Sequence, residues 1–289
     1  MQQSCTKESD IMNIKLISAA ALTAAAALLP LSGHAFSNFT DNAANSAYAS
    51  GYAGNGAGTP GFGAFVVTGN TVAGGFAGSF TGSATATETG TVGGALDTSG
   101  KSFGMYANGT SGSAADPSST VTRAFNTGTS GLKSNGEAFS LDFITGYNDG
   151  APGSAGVGLT NSSGSVGSFV YQSNGANSGY YFNGTAIGQG YNSGILHLAY
   201  TLTSATTYSF ASTGAITYSN TGTYANPITG FQVQQVNSAN GGGDHDAFFN
   251  NLSLTSAPAV PEASSSIGLG LMLALGGLVL VAKKRSAKA

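Results

Sequence analysis

Residues 194–203 constrain the fold more than any other stretch of this chain. Leu196, Leu198, Tyr200 and Leu202 alternate there with His197, Ala199 and Thr201. A period of two places the apolar set on one face of a strand and the polar set on the other. Residues 138–145 repeat the pattern, with Phe139, Leu141 and Phe143 set against Ser140 and Asp142. Further strands are predicted over 62–68, 102–107, 121–125, 157–160, 168–172 and 180–183. Others are predicted around Tyr208 and Phe210, around Ile216 and Tyr218, and over 231–236 and 246–255. Asn183-Gly184 is a hairpin signal. Residues 36–61, rich in Ala, Asn and Gly, read as a loose lead-in with one short strand. No run of the body carries a helical period over a useful length. Roughly a dozen short strands separated by turn residues predict an all-β fold, a two-sheet β-sandwich. The absence of a strict repeat argues against a solenoid or propeller; a parallel β-helix is the structural rival.

The charge balance narrows the partners. Between residues 36 and 257 stand three bases, Lys101, Arg123 and Lys133, against nine acids, a net charge of −6. That excludes nucleic acid and anionic lipid, whose phosphates require a basic surface. The single Cys is Cys5, so the body forms no disulfide.

Both ends carry addressing signals. Residues 1–35 read as a secretory signal peptide: Lys15 supplies the positive region, 16–31 the apolar core, and Gly33 and Ala35 the small residues of a cleavage site. Met12 makes a better start than Met1. At the other end, residues 258–266 form a linker containing Val260, Pro261, Glu262 and Ala263. An uncharged run, 267–282, follows, and then a basic stretch, 283–289, opening with Lys283, Lys284 and Arg285. With the small residues before it, the run is long enough to span a bilayer as a transmembrane helix, and the cations mark its cytoplasmic end.

This tripartite tail resembles the PEP-CTERM sorting signal recognised by exosortases in Gram-negative bacteria that make extracellular polysaccharide. Pro261 and Glu262 match its motif, while Ala263 stands where the family has a second Pro. The resemblance covers residues 260–289. It implies transient anchoring in the inner membrane, processing by exosortase, and release to the cell surface or matrix. The order of strand signals over 62–255 resembles the jelly roll of concanavalin-like lectins and laminin-G domains. That superfamily often ends in a strand with an Asp- and Asn-rich entry, as in 244–252 here.

Candidate chemistry is sparse. Asp244 and Asp246, joined by Asn250 or Asn251 and by carbonyls of the glycines at 241–243, are candidate Ca²⁺ ligands, since Ca²⁺ takes six to eight oxygens. The alternative is a solvated loop entering a strand. His245 has no His or Cys cluster around it, which argues against zinc. Glu137 and Asp142, five residues apart, face opposite ways in a regular strand and fail as a glycosidase pair. His197 reads as a lone outward-facing residue, and no nucleophile elbow with plausible partners occurs. No catalytic residue is therefore assigned, and the chain reads as a non-enzyme with no cofactor beyond a structural Ca²⁺. Tyr180, Tyr181 and Tyr191 lie among amides and glycines, a composition suited to sugar binding; ordinary core and edge tyrosines are the alternative. The resulting expectation is an exported surface or matrix protein associating with exopolysaccharide or biofilm. A calcium-dependent lectin-like module and a polysaccharide hydrolase or lyase are the alternatives.

Overall fold

The computed structural model describes residues 36–71, 75–84, 93–109, 116–128, 131–148, 152–238 and 245–257. The segments predicted as signal peptide and sorting motif, the apolar run, the basic tail and Asp244 lie outside the described residues. No helix among the described residues is long and apolar enough to cross a membrane.

Fifteen strands form two sheets. In chain order they are β1 (Phe39–Asp41), β2 (Gly61–Asn70), β3 (Phe76–Gly82), β4 (Ser102–Asn108), β5 (Ser118–Asn126), β6 (Ala138–Ile144), β7 (Gly153–Asn161), β8 (Gly164–Ser173), β9 (Gly179–Phe182), β10 (Thr185–Ala186), β11 (Leu196–Leu202), β12 (Thr207–Gly214), β13 (Tyr218–Thr223), β14 (Gly230–Val236) and β15 (Ala247–Thr255). The eight-stranded sheet runs β13-β12-β11-β6-β15-β4-β3, with β1 also on β15; the seven-stranded sheet runs β10-β9-β8-β7-β14-β5-β2. All ladders between these strands are antiparallel, which excludes the parallel β-helix. The chain passes repeatedly from one sheet to the other, giving a two-sheet β-sandwich of jelly-roll type.

The alternating strands do what their period dictates. Leu196, Leu198 and Tyr200 of β11 sit directly across from Phe143, Leu141 and Phe139 of β6, and all six are buried. With no Trp, phenyl and phenol rings make up the bulkiest part of an interior that also holds many aliphatic side chains. Phe103 on β4 lies 5.0 Å from Phe65 on β2, 5.2 Å from Phe249 on β15, and 5.0 and 5.2 Å from Tyr48 and Tyr52. Phe139 stacks on Phe231 at 4.7 Å, and Phe210 on Phe182 at 4.7 Å. Such pairs add about 0.5–1.5 kcal/mol each beyond their buried area.

The lead-in departs from expectation. Beyond β1 it contains a 3-10 turn, Ser46–Tyr48, and it is part of the core rather than loose. Tyr48 and Tyr52 are buried, and the Tyr52 hydroxyl donates to the Gly104 carbonyl at 2.9 Å. Asp41 anchors the segment through a fully buried ion pair with Arg123 of β5 at 2.7 Å. Arg123 also donates to the Gly63 carbonyl and the Tyr48 hydroxyl, each at 2.9 Å, and lies over the Phe65 ring at 4.1 Å. The Tyr48 hydroxyl donates to Asp41, whose other oxygen accepts from Asn42 N at 2.9 Å. Strand β3 was also unforeseen. Its sequence, FAGSFTG, has no alternation, and it forms a sheet edge.

Strand β13 is the other edge of that sheet. Tyr224 N donates to Thr206 O, so even-numbered residues of β13 bond inward to β12 and Thr221 N points to the free edge. There Thr221 N donates to the Asn220 side-chain oxygen at 2.7 Å.

The buried phenols set an alkaline limit. Burial pushes the Tyr48 hydroxyl up to about 12, aided by its bond to Asp41, and burial likewise pushes Tyr180 up to about 12. Unfolded tyrosines ionise near pH 10. Above that the unfolded chain binds fewer protons than the folded one, so stability falls as pH rises. Urea midpoints are expected to hold steady below pH 10 and fall between there and about 12. Midpoints that stay level through that window would contradict this.

Candidate functional site

The outward face of the seven-stranded sheet follows from the alternation of its strands. In β5, Val121, Arg123 and Phe125 point inward, leaving Thr120 and Thr122 on the outside. In β14, Phe231 and Val233 are buried and Gln232 and Gln234 face out. Register then aligns these residues across the sheet. Thr68, Thr120, Gln234, Gly156, Val170, Tyr181 and Ala186 form one continuous row over seven strands. Val66, Thr122, Gln232 and Gly158 run beside it, and Asn70, Ser118, Val236, Ser154 and Gln172 on its other flank. At about 4.8 Å per strand the row is roughly 29 Å long.

Two glycines of β7 leave room for β8 on this face. A Cβ on Gly156 would come within 2.5 Å of the Phe169 carbonyl oxygen, and one on Gly158 within 2.6 Å of Ser165 Oγ. Only glycine lets Val170, Ser165 and Ser168 of β8 lean over β7 at these positions. Among the described residues no Asp, Glu, Lys, Arg or His points outward from this face. Beside the exposed Val66 it offers carboxamides, hydroxyls and one phenol, groups that each donate and accept hydrogen bonds.

The three candidate tyrosines separate. Tyr181 lies on this face, its hydroxyl donating to Asn177 O at 2.9 Å. Tyr180, its neighbour, is buried between the sheets and stacked on Phe169 at 5.3 Å, so its ring is part of the core and not of a sugar-binding surface. Tyr191 is half-buried at one end of the sandwich, edge-on to Tyr147 and Tyr171. Tyr147 is exposed and packs its ring against His245.

Asp246 is buried at that same end, where Gly146 fits against the carbonyls of His245 and Asp246; a Cβ there would lie 2.5 Å from Asp246 O. Asn250 and Asn251, expected beside these aspartates, are engaged elsewhere. Asn250 accepts from Ala43 N and donates to Leu96 O, both at 2.9 Å, and donates to Lys101 O at 3.0 Å. A bulge after it turns Asn251 outward at φ 52°, and Asn251 donates to Asp142 at 2.8 Å. Among the described residues no group of three or more His, Cys, Asp or Glu is placed to hold a metal.

Asp142 has a partner the sequence did not reveal. On the outer face of the eight-stranded sheet it meets His197 Nδ1 at 2.6 Å, because β6 and β11 place the two residues directly opposite. Glu137 is remote from this pair in function: it is buried and accepts from Lys133 N and Ser134 N at 2.6 and 2.9 Å, closing a turn. The signal for the His–Asp contact was present, since both residues fall on the polar side of alternating strands, but only the register joins them.

No family model matches the sequence, and neither does any curated protein. Among solved structures the chain is similar to an alginate lyase from Corynebacterium sp., at TM-score 0.37 and 15% identity over 56% of this chain and 80% of that one. It is similar to a carbohydrate esterase of the Shiga toxin-encoding bacteriophage phi24B, at TM-score 0.38 and 12% identity over 66% and 90%. It is similar also to the metal-free lectin I-B4 of Griffonia simplicifolia, at TM-score 0.31 and 10% identity over 67% and 100%. Scores this low assign no activity, and the fold is read from the strand order itself.

Proposed function

We propose that this protein is an exported, non-catalytic component of a cell surface or matrix that contacts neutral polysaccharide through the outward face of its seven-stranded sheet. The observation that carries this reading is the charge-free row from Thr68 to Ala186, flanked by Gln172 and Gln232. A sugar hydroxyl both donates and accepts, as carboxamides and hydroxyls do, and Tyr181 adds an aromatic surface. An anionic polymer would call for cations, and the exposed bases among the described residues, Lys101 and Lys133, stand elsewhere. A face without a titratable group other than a phenol also lacks the acid and base that glycoside cleavage uses. The PEP-CTERM-like tail and the signal peptide support export, with exosortase as the processing partner.

Co-sedimentation of the protein with an insoluble neutral glucan and with alginate tests the reading. Retention on the glucan is expected, with several-fold weaker retention for the Gln232→Ala/Gln234→Ala variant and no effect of a chelator. Retention on alginate alone would overturn it. Loss of binding on chelation would instead make the protein a calcium-dependent lectin acting through the loop at Asp244 and Asp246.

A further inference from the structure

At the end of the sandwich away from Tyr147, an open, solvent-facing cavity of about 540 Å³ lies where the two sheets meet. Its walls come from four separate segments: Asn161 and Ser165 of the β7–β8 hairpin, Asn183 of the β9–β10 turn, Thr206 and Tyr208 at the start of β12, and Thr223 at the end of β13. The volume falls within the range of small-molecule sites, about 300–1,000 Å³. Such sites are usually apolar. This one is lined mainly by amides and hydroxyls, with Val166 supplying an apolar patch, and it contains no carboxylate, amine, guanidinium or imidazole.

The Asn183 carboxamide is held in place before any ligand arrives. Asn183 sits at φ 49° in its turn, accepts from Ser168 N at 3.0 Å and donates to the Tyr208 hydroxyl at 3.1 Å. Tyr208 is fully buried behind this wall, so its hydroxyl accepts from Asn183 and holds that side chain in place rather than facing a ligand. Burial raises its pKa, so the phenol stays neutral at working pH. Two glycines make room for this hydroxyl. A Cβ on Gly167, which has φ +66°, would stand 3.0 Å from it, and a Cβ on Gly222 would overlap it. On the opposite wall, the backbone of Thr206 is held by Ser204 Oγ, which accepts from Thr206 N at 3.1 Å. A carboxamide fixed as Asn183 is loses little freedom on binding.

We propose that this cavity binds a single neutral sugar unit, recognised by the Asn183 carboxamide and the hydroxyls of Thr206 and Thr223, with its C–H face against Val166. A ligand that is donor and acceptor on all sides matches these walls; a uronate or an amino sugar finds no counter-charge. The site is separate from the sheet face, and the proposal rests on the glycan-contact reading only for where the ligand comes from.

Calorimetric titration of the intact protein with glucose, galactose, mannose and their short neutral oligosaccharides tests it, with glucuronate as the charged control. Saturable binding of at least one neutral sugar is expected, with none of glucuronate. Thr206→Val and Thr223→Val should each weaken it roughly threefold to tenfold, the effect of one lost hydrogen bond. Gln232→Ala/Gln234→Ala should leave it unchanged, which distinguishes this cavity from the sheet face whether or not the face binds polymer. Both threonines are exposed, so these variants are expected to keep the fold. The proposal is overturned if no neutral sugar saturates the folded wild-type protein, or if binding persists undiminished in every folded variant of the cavity.

Discussion

Replacing Arg123 by Met is expected to lower the stability of the sandwich by about 3–5 kcal/mol, the usual cost of removing one partner from a buried pair. Asp41 would remain fully enclosed, with the Tyr48 hydroxyl and Asn42 N still bonded to it but no counter-charge. The Gly63 carbonyl would lose its donor as well. Against a typical total of about 5–15 kcal/mol, this is a large share. Urea unfolding of the two proteins at neutral pH measures it, and a difference below about 1 kcal/mol would show that the pair does not anchor the lead-in. The double variant Arg123→Met/Asp41→Leu is expected to recover much of the loss, because a buried pair replaced by apolar groups of similar size is often neutral. The pair thus specifies where the lead-in docks more than it adds stability.

Phe103→Ala is expected to cost a similar 3–5 kcal/mol, by a different route. Its ring touches aromatic groups from both sheets and from the lead-in, so truncation opens a void that no single neighbour can close. For a domain of this size that corresponds to a fall in melting temperature of about 6–20 °C. Val66→Ala, at a residue 58% exposed, is the matched control, and its effect should stay within about 0.5 kcal/mol. Equal melting temperatures for the two variants would mean that the aromatic cluster is not the centre of the core.

What was legible in the sequence was local. Strands with clean alternation, such as β6, β11 and β14, could be read because one face of each is buried. Strand β3 could not, since Gly78, Ser79 and Gly82 carry no apolar period and the strand pairs on one side only. The lead-in hid its role because its decisive residue, Arg123, lies more than eighty positions away in sequence from the aspartate it pairs with. The site shows the same limit. Alternation alone implies that adjacent Tyr180 and Tyr181 cannot share a face, and the structure sends one to the core and one to the surface. The His197–Asp142 contact, the continuous outer row and the corner cavity depend on register and on turns far apart in the chain, which no single segment announces.

The Asn220–Thr221 contact at the rim of β13 has a consequence for how such molecules crowd together. Only 7% of the chain is charged, so neighbouring copies repel one another weakly. A polar strand of this kind, with bare amides along its rim, would template a further strand from the next molecule. By bonding to its neighbour's amide, Asn220 withdraws that donor from any incoming chain. At high concentration, where every available pairing is favoured, this carboxamide removes one docking point from the margin without adding any charge.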